Sequence, residues 1–436
     1  MGLLLGSVTA CVSQDKAIQP NDLAATAKRF VETLVKGDFK KARESFDKNL
    51  KSKYSVSKLG EAWSSFVMES GPFKKVVTAS IEQRDPYDAV FVTCEFEKAT
   101  LDLQITFDNT GQICGFHADP SNSPVEYSPP TYSNNESFMD KEVIIGTGQW
   151  SLPGMLSIPF GKGPFPVVVL VHGSGPNDRD ETVGPNKPFR DLAWGLASKG
   201  IAVFRYDKRT KIYALKMAWM KKITVKEETI DDAVAAVDLL KNMKQIDSKK
   251  IFVLGHSLGG TLIPRIGEVA PEINGFIVMS GSTKPFEDVV IEQLTYLAQF
   301  DGNVTDGEKK EIDNAKEQAA KIKDPSLSGD SPERLLGAPP MYWMDLRAYS
   351  PLDAVKKVKQ PMLFLHGGRD YQITNENFQG WEKALTGREN AQFKTYPQLN
   401  HLFITGEGKS SLNEYALLGH VAEEVVSDIA DWVKKH

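Results

Sequence analysis

The segment around Ser257 has the residue types and spacing of a catalytic nucleophile. An apolar stretch at 250–254 leads into GHSLG at 255–259, and a helical pattern follows. This G-x-S-x-G spacing is typical of a serine on a sharp strand-to-helix turn, where small residues let the two backbones pass closely. A plain Gly-Ser turn would not account for the apolar strand directly ahead. The pattern therefore predicts Ser257 as the nucleophile of an acyl-transfer reaction.

A histidine beyond the nucleophile must act as its base if the chain order is Ser, Asp, His. Four histidines follow Ser257, and only His401 lies in a predicted loop that comes after a strand. His366 falls at a strand end, His420 within a predicted last helix, and His436 at the terminus. The order favours His401 as the base, and the alternative is a histidine of a surface loop.

The orienting acid should follow the strand before that loop. Asp370 is the first carboxylate after the apolar run 361–366. It would accept the ring proton of His401 and steady the imidazolium that forms. Asp370 could instead cap the helix expected from Thr374, but four residues is too far for an N-cap.

Backbone amides must stabilise the oxyanion in such a reaction. One donor is the N–H after the nucleophile, which belongs to Leu258. The second should come from the glycine-rich loop after the strand 167–171, and we assign it to Ser174, with Gly173 as the alternative. His172 is interpreted as a core histidine that fixes this loop.

Further polar and aromatic segments are expected at the same edge of the sheet. The charged runs 177–181 and 206–210 favour an ion-pair network bracing the oxyanion loop, with substrate contacts as the alternative. Tyr342, Trp343 and Tyr371 are candidate substrate contacts. The first two could equally pack a lid onto the core.

Residues 137–436 alternate between strand-like and helix-like segments, which predicts a mostly parallel sheet with helices on both faces. Together with the serine turn, this indicates an α/β-hydrolase fold. The alternation stops at 283–350, where a helical lid is expected, and a last helix is expected at 412–435.

Residues 20–118 predict a separate small α+β domain. Helical patterns at 22–36 and 40–48 precede four runs rich in Val, Ile, Thr and Phe, the pattern of an antiparallel meander. Residues 119–136 are dense in Pro, Ser, Asn and Tyr and are interpreted as a linker.

Composition excludes several classes of function. The 436 residues carry a formal net charge of -5, which gives no basic footprint for nucleic acid. No C-x-x-C or H-E-x-x-H spacing supports a metal site, and the predicted chemistry needs no cofactor. No apolar run has the ~18 residues of a membrane-spanning helix.

The N-terminal residues 1–19 suggest a lipoprotein signal and tether. Small residues at 8–10 precede Cys11, as in the lipobox of bacterial lipoproteins, although no Lys or Arg comes before the cysteine. Lipidation of Cys11 would tether an exported protein to a periplasmic or outer-membrane surface; a chance apolar stub would leave it cytoplasmic. Cys94 and Cys114 could then form a disulfide or remain free thiols.

Five segments resemble those of the bacterial EstD-like carboxylesterases, and they occur in the same order. These segments are 172–182, 205–209, 255–260, 367–371 and 400–403. The resemblance implies hydrolysis of short-chain acyl esters without a cofactor. Residues 20–118 resemble the small cystatin-like or ketosteroid-isomerase-like domain often found ahead of such hydrolases.

Two other classes of function remain open from the sequence. A serine peptidase or an acyltransferase could use the same three residues. A non-catalytic surface protein could use residues 20–118 to bind a partner. A dehalogenase or epoxide hydrolase is excluded, because these enzymes need a carboxylate where Ser257 stands.

Overall fold

The computed structural model describes residues 20–436 except 85–86, 98–99, 121–126, 147, 219, 221 and 301. Two compact units make up the chain, Met1–Val125 and Glu126–His436. The expected signal at 1–19 and its Cys11 lie outside the described residues. Within the part of the chain that is described, no helix is long and apolar enough to span a membrane.

The smaller unit has four helices followed by an antiparallel sheet in the order β1-β2-β3-β4. Its elements are α1 (Pro20–Val35), α2 (Phe39–Glu44), α3 (Lys48–Lys53), α4 (Val56–Ser70), β1 (Phe73–Arg84), β2 (Tyr87–Phe96), β3 (Thr100–Phe107) and β4 (Ile113–Pro120). The sequence predicts the meander but not α4, in which Leu59, Trp63 and Phe66 recur at helical spacing. Ser55 caps this helix by accepting the Lys58 N–H.

Cys94 and Cys114, the cysteines of this unit that the structure describes, are free thiols. Cys94 lies on β2 and Cys114 on β4, with β3 between them. Two strand spacings of about 4.8 Å each put their Cα atoms beyond the reach of a disulfide. Burial raises the pKa of the Cys94 thiol to about 12, so it stays protonated and unreactive.

The larger unit is built on one eight-stranded sheet in the order β12-β11-β10-β9-β7-β8-β6-β5. Only the pairs that involve β5 and β6 are antiparallel. The strands are β5 (Phe138–Ile145), β6 (Leu152–Pro159), β7 (Phe165–Val171), β8 (Ala202–Tyr206), β9 (Ile246–His256), β10 (Gly275–Met279), β11 (Met362–Gly367) and β12 (Ala391–Tyr396). This topology confirms the predicted α/β-hydrolase fold.

Helices cover both faces of this sheet. The described helices of the larger unit are α5 (Pro188–Ser198), α6 (Arg209–Ile212), α7 (Ala214–Ala218), α8 (Asp231–Lys241), α9 (Leu258–Val269), α10 (Phe286–Ala298), α11 (Asp306–Lys323), α12 (Pro340–Arg347), α13 (Pro351–Lys357), α14 (Asn375–Ala384) and α15 (Glu423–Lys435). Alternate residues of β7 enter two separate apolar clusters: Val167 and Val169 one, Val168 and Leu170 the other. This is the side-chain period of a strand that is buried on both faces.

The helices α10, α11 and α12 form an insertion between β10 and β11, in the region predicted to be a lid. Phe286 of α10 stacks on Trp343 of α12 with ring centroids 6.0 Å apart. Arg265 of α9 makes a bidentate ion pair with Asp345 of α12 at 2.7 Å, which ties the insertion to the helix that follows the predicted nucleophile.

The expected last helix at 412–435 is wrong in its first half. A short 3-10 turn spans Leu412–Ala416, and α15 begins only at Glu423. The backbone N–H groups of Gly419 and Val421 donate to the buried side chains of Asn186 and Asp191 instead of to a helix. Tertiary hydrogen bonds therefore override the helical pattern here. His420 lies in this loop, where its ring pairs with Asp191 at 3.0 Å.

Residues 127–136, the second half of the expected linker, pack on the larger unit. The Tyr127 hydroxyl donates to Asp191 at 2.6 Å, and the Tyr132 hydroxyl donates to the Val421 carbonyl at 2.7 Å. These tyrosines account for the density of aromatic residues in a segment that otherwise resembles a linker.

Replacing the core residue Phe252 should destabilise the larger unit strongly. Phe252 is fully buried on the central strand β9, edge-on to Trp432 at 5.6 Å. We expect Phe252→Ala to lower the free energy of unfolding by about 3–5 kcal/mol, because it leaves a cavity. Phe160→Ala, at a residue 58% exposed, is the matched control and should change it by less than about 0.5 kcal/mol. Urea titration followed by tryptophan fluorescence measures both, and equal losses would contradict the assigned core.

Candidate active site

Ser257 occupies the turn between β9 and α9 in a strained backbone conformation. Its φ is 53° and its ψ is -117°, values that non-glycine residues rarely adopt. Such strain persists only where the surrounding structure enforces it, and it is typical of a nucleophile elbow.

Two glycines make this turn sterically possible. A Cβ at Gly255 would clash with the Gly259 carbonyl, and a Cβ at Gly259 would clash with the carbonyls of Val171 and His172. The close approach thus joins the nucleophile turn to the loop after β7. It explains physically why small residues flank Ser257 at the observed spacing.

Asp370 and His401 form a buried pair. His401 Nδ1 lies 2.7 Å from Asp370 Oδ2, while Asp370 Oδ1 accepts the backbone N–H groups of Gln372 and Ile373. Burial alone would raise the pKa of Asp370, but the His401 ring and these hydrogen bonds hold it below its usual range. The carboxylate is therefore charged and fixed. It bonds the turn that leads toward α14 rather than the helix itself, whose N-cap is Thr374.

The His401 ring lies next to the nucleophile turn. Its centroid is 4.6 Å from that of His256, the residue before Ser257. The Ser257 hydroxyl makes no hydrogen bond to any residue described in the structure. Catalytic hydrogen bonds are often long until substrate binds, so the substrate-free hydroxyl is available for attack.

The loop after β7 supplies the candidate oxyanion donor. Gly173 N–H donates to Glu181 Oε1 at 2.6 Å, which rules out the alternative donor. The Ser174 N–H has no partner among the described residues. The Leu258 N–H, at the first position of α9, is left unpaired by helix geometry. Neither of the two predicted donors is therefore engaged by a described residue, so both stay candidates for binding an oxyanion.

Lys208 fixes the direction of the Ser174 amide. Its Nζ donates to the Gly173 carbonyl at 2.7 Å and pairs with Glu228 Oε1 at 2.7 Å. The Gly173 carbonyl and the Ser174 N–H belong to one planar peptide group and point in opposite directions. A cation on the carbonyl therefore aims and polarises the N–H, which makes it a stronger donor.

A second buried pair, Glu181 and His256, joins three segments of the site. Glu181 Oε2 lies 2.9 Å from His256 Nδ1, and His256 Nε2 lies 2.9 Å from the His401 carbonyl. The carboxylate and the carbonyl that the ring contacts are both hydrogen-bond acceptors. Both ring nitrogens therefore carry hydrogen, and the imidazole is positively charged. Burial opposes that charge, but Glu181 outweighs it and raises the pKa of His256; in turn His256 offsets burial and lowers the pKa of Glu181.

Glu181 belongs to the run 177–181 that the sequence predicts to brace the oxyanion loop, whereas the sequence does not predict a role for His256 or its pairing with Glu181. The available signal was that His256 directly precedes the predicted nucleophile. Glu181 also has a positive φ of 51°, which the sequence does not reveal.

His172 is a core histidine, as interpreted from the sequence, but it does not fix the loop by hydrogen bonds as expected, because neither buried ring nitrogen has a hydrogen-bond partner among the described residues. Its ring packs on Phe189 and Tyr206, with centroids 5.0 and 5.2 Å away. Burial lowers the pKa of His172 to about 4, so the ring is neutral.

The charged runs form the expected ion-pair network under the loop. Arg179 pairs with Asp207 at 2.7 Å, and Arg205 with Asp180 at 3.0 Å. Arg205, 2% exposed, is too deeply buried to contact a substrate. These pairs stabilise the loop that carries Ser174.

A cavity of about 410 Å³ adjoins the oxyanion loop. Ser174, Tyr342 and Trp343 line it together, so two of the three candidate substrate contacts share a wall with the oxyanion donor. Tyr371 lies elsewhere, stacked on Tyr296 at 4.8 Å. Across the described residues, no cluster of His, Cys, Asp or Glu could hold a metal ion.

Comparison with known proteins follows the same division of the chain. Residues 163–408, more than half of the chain, match the family described as serine aminopeptidase, S33. Residues 27–116 match a family of proteins of unknown function, DUF3887. Esterase EstD of Thermotoga maritima is 38% identical over 406 residues, covering 93% of this chain and 94% of that protein.

The solved structures to which this chain is similar are more distant in sequence. A Pyrococcus furiosus esterase is 18% identical, covering 68% of this chain and 91% of its own, with a TM-score of 0.44. Est1E from Butyrivibrio proteoclasticus is 16% identical, covering 68% and 99%, with a TM-score of 0.43.

Removing the Ser174 N–H should impair catalysis far more than removing its side chain. Ser174→Pro deletes the donor and should lower kcat about 10²–10³-fold. Ser174→Ala keeps the N–H and should stay within a few-fold of the parent. Steady-state ester hydrolysis measures both, with circular dichroism as the check on folding. A comparable loss in both variants would contradict the assigned donor.

The Glu181–His256 pair should stabilise the fold most between about pH 4.5 and 6.5. The lowered pKa of Glu181 contributes stability above the ordinary glutamate pKa, and the raised pKa of His256 contributes it below the ordinary histidine pKa. His256→Gln should therefore lower the free energy of unfolding by up to about 3–5 kcal/mol at pH 6.

This deficit should be smaller at pH 9, because the stability that the raised pKa of His256 contributes declines as the pH rises above the ordinary histidine pKa. Urea titration at both pH values tests the prediction, with Glu317→Gln on the exposed face of α11 as the control. A deficit that is the same at pH 6 and pH 9 would show that the ring is not charged.

Proposed function

This chain belongs to the serine aminopeptidase S33 family, among the esterases related to EstD, and we propose that it hydrolyses short-chain acyl esters through an acyl-enzyme on Ser257. It is a serine hydrolase of the carboxylic ester hydrolase class. The short-chain preference and the role of each residue are the proposal.

The proposed reaction has two steps. Ser257 Oγ attacks the acyl carbonyl while His401 Nε2 takes the hydroxyl proton, and the Ser174 and Leu258 amides bind the oxyanion. The C–O bond to the alcohol breaks as His401 returns the proton to the leaving oxygen. Water then attacks the acyl-enzyme with His401 as base, and the acid leaves. Asp370 holds the ring in the required tautomer and stabilises the imidazolium.

The observation that carries this proposal is the buried 2.7 Å contact between His401 and Asp370, beside a strained serine turn. It fixes the Nδ1 proton toward the carboxylate, which leaves Nε2 free to act as the base. The two unpaired amides supply the remaining requirement for acyl transfer.

Peptide hydrolysis is the second candidate, because the matching family is described as a serine aminopeptidase. A panel of p-nitrophenyl esters of increasing acyl length, run beside aminoacyl p-nitroanilides and acyl-acceptor alcohols, separates esterase, peptidase and acyltransferase. Esters of two to four carbons should be the best substrates.

We also propose that the protein is exported and lipidated on Cys11. The support is the small-residue run before this cysteine. Labelling cells with a clickable fatty acid should mark the parent protein but not Cys11→Ser.

Substitutions in the triad should separate chemistry from folding. Ser257→Ala should abolish turnover and labelling by a fluorophosphonate probe. Asp370→Asn should lower kcat by up to about 10⁴-fold, because the ring loses its tautomer control. Ser326→Ala, at an exposed serine between α11 and α12, is the control and should retain labelling. Turnover by Ser257→Ala would contradict the assignment of the nucleophile.

A further inference from the structure

The cavity beside the oxyanion loop is mainly apolar, yet a carboxylate lines it. Its walls include Phe286, Tyr342, Trp343 and Met217, and Glu228 lies among them. Glu228 is 5% exposed. A buried charge in an apolar pocket is costly unless its oxygens are hydrogen-bonded.

Only one of the two Glu228 oxygens is satisfied. Oε1 pairs with Lys208 at 2.7 Å, and Lys208 holds the Gly173 carbonyl as well. Oε2 is buried and has no hydrogen-bond partner among the described residues. A buried unpaired acceptor points to a donor that arrives with a ligand.

The Tyr342 phenol interacts with the Glu228 carboxylate, but its geometry does not make a hydrogen bond to Oε2. Burial first, then the negative charge of Glu228 and the side-chain interaction with it, raise the pKa of Tyr342 far above its usual range. The phenol therefore stays protonated and neutral, and it forms part of the cavity wall.

The backbone at Glu228 is also unusual. Residues Lys226–Ile230 form a π-helical turn directly before α8. Single π-turns are rare and occur often at functional sites, because the widened turn redirects a side chain. Here the turn carries the carboxylate that lines the cavity.

The charge balance limits what the missing donor can be. Lys208 already neutralises Glu228 in a buried ion pair, so the pair as a whole is neutral. Arg334 also lines the cavity, so an ammonium would add a further positive charge there, at a large desolvation cost. A neutral hydroxyl supplies the donor without that cost.

We propose that Glu228 selects esters of hydroxy acids, with the acyl hydroxyl donating to Oε2. This inference rests on the proposed esterase function and names the substrate class of the same site. The acyl chain lies along the aromatic wall, and its hydroxyl reaches the π-helical turn. Glu228 thereby determines specificity and takes no part in bond breaking.

The test uses three matched series of methyl esters on the full-length protein. Each acyl chain of two to eight carbons carries a terminal hydroxyl, a methoxy or a methyl group. For at least one chain length, kcat/KM should be about tenfold or more higher with hydroxyl than with methyl, the effect of one hydrogen bond to a charged acceptor. The methoxy group accepts hydrogen bonds but cannot donate one, so kcat/KM for the methoxy ester should be no higher than for the methyl ester.

Glu228→Gln reverses the hydrogen-bonding character of the site. Lys208 requires an acceptor, so the amide oxygen faces Lys208 and the amide NH₂ faces the cavity. In this variant we expect kcat/KM for the methoxy ester to rise relative to that for the methyl ester and to equal that for the hydroxy ester. Ratios between substrates cancel any loss of activity common to all three. Glu317→Gln, at an exposed position of α11, should leave every ratio unchanged.

Each outcome decides one question. Parent ratios near one at every chain length would mean that Oε2 is served by Tyr342 or by water, and the inference would be overturned while the esterase function stands. If an aminoacyl ester of the same chain length had a higher kcat/KM than the hydroxy ester, the conclusion that the missing donor is neutral would be overturned. Absence of turnover for all esters would count against the proposed function itself.

Discussion

The buried carboxylate of Glu181 is the interaction on which the geometry of the site depends. One of its oxygens holds the Gly173 N–H of the oxyanion loop, and the other holds His256, whose second N–H holds the His401 carbonyl. The loop after β7, the nucleophile turn and the base loop are thus joined by three hydrogen bonds. In a low-dielectric interior such charge-assisted bonds are strong, and breaking one leaves a charge uncompensated.

A second buried carboxylate, Glu228, serves the same loop from the other side through Lys208. The two charged pairs differ in one respect that matters for function. Both oxygens of Glu181 are bonded within the protein, whereas Glu228 keeps one oxygen unpaired at the cavity wall. The first pair therefore positions the backbone around Ser257, and the second links the loop after β7 to the wall of the cavity.

The fold contributes rigidity where the chemistry needs it. Ser257 lies at the end of β9, in the middle of the parallel part of the sheet, with neighbouring strands on both sides. The Gly255 and Gly259 contacts hold its turn against the loop that carries Ser174. The strained Ser257 and the proposed oxyanion donor are thereby fixed relative to each other before substrate arrives. The entropy of orienting them is therefore lost on folding and not during the reaction.

Apolar periodicity and glycine spacing are local properties, so the sequence was enough to predict the sheet, the turn at Ser257 and the order of the proposed catalytic residues. It also pointed to Asp370 and His401, since each follows a strand at the same sheet edge. Only the tertiary structure decided between Gly173 and Ser174, because that depends on where the distant Glu181 places its oxygen. The late start of the last helix at Glu423, ahead of which Asn186 and Asp191 bind the backbone of Gly419 and Val421, and the unpaired oxygen of Glu228 have the same origin. Hydrogen bonds between segments far apart in the chain leave no periodic signal in the sequence.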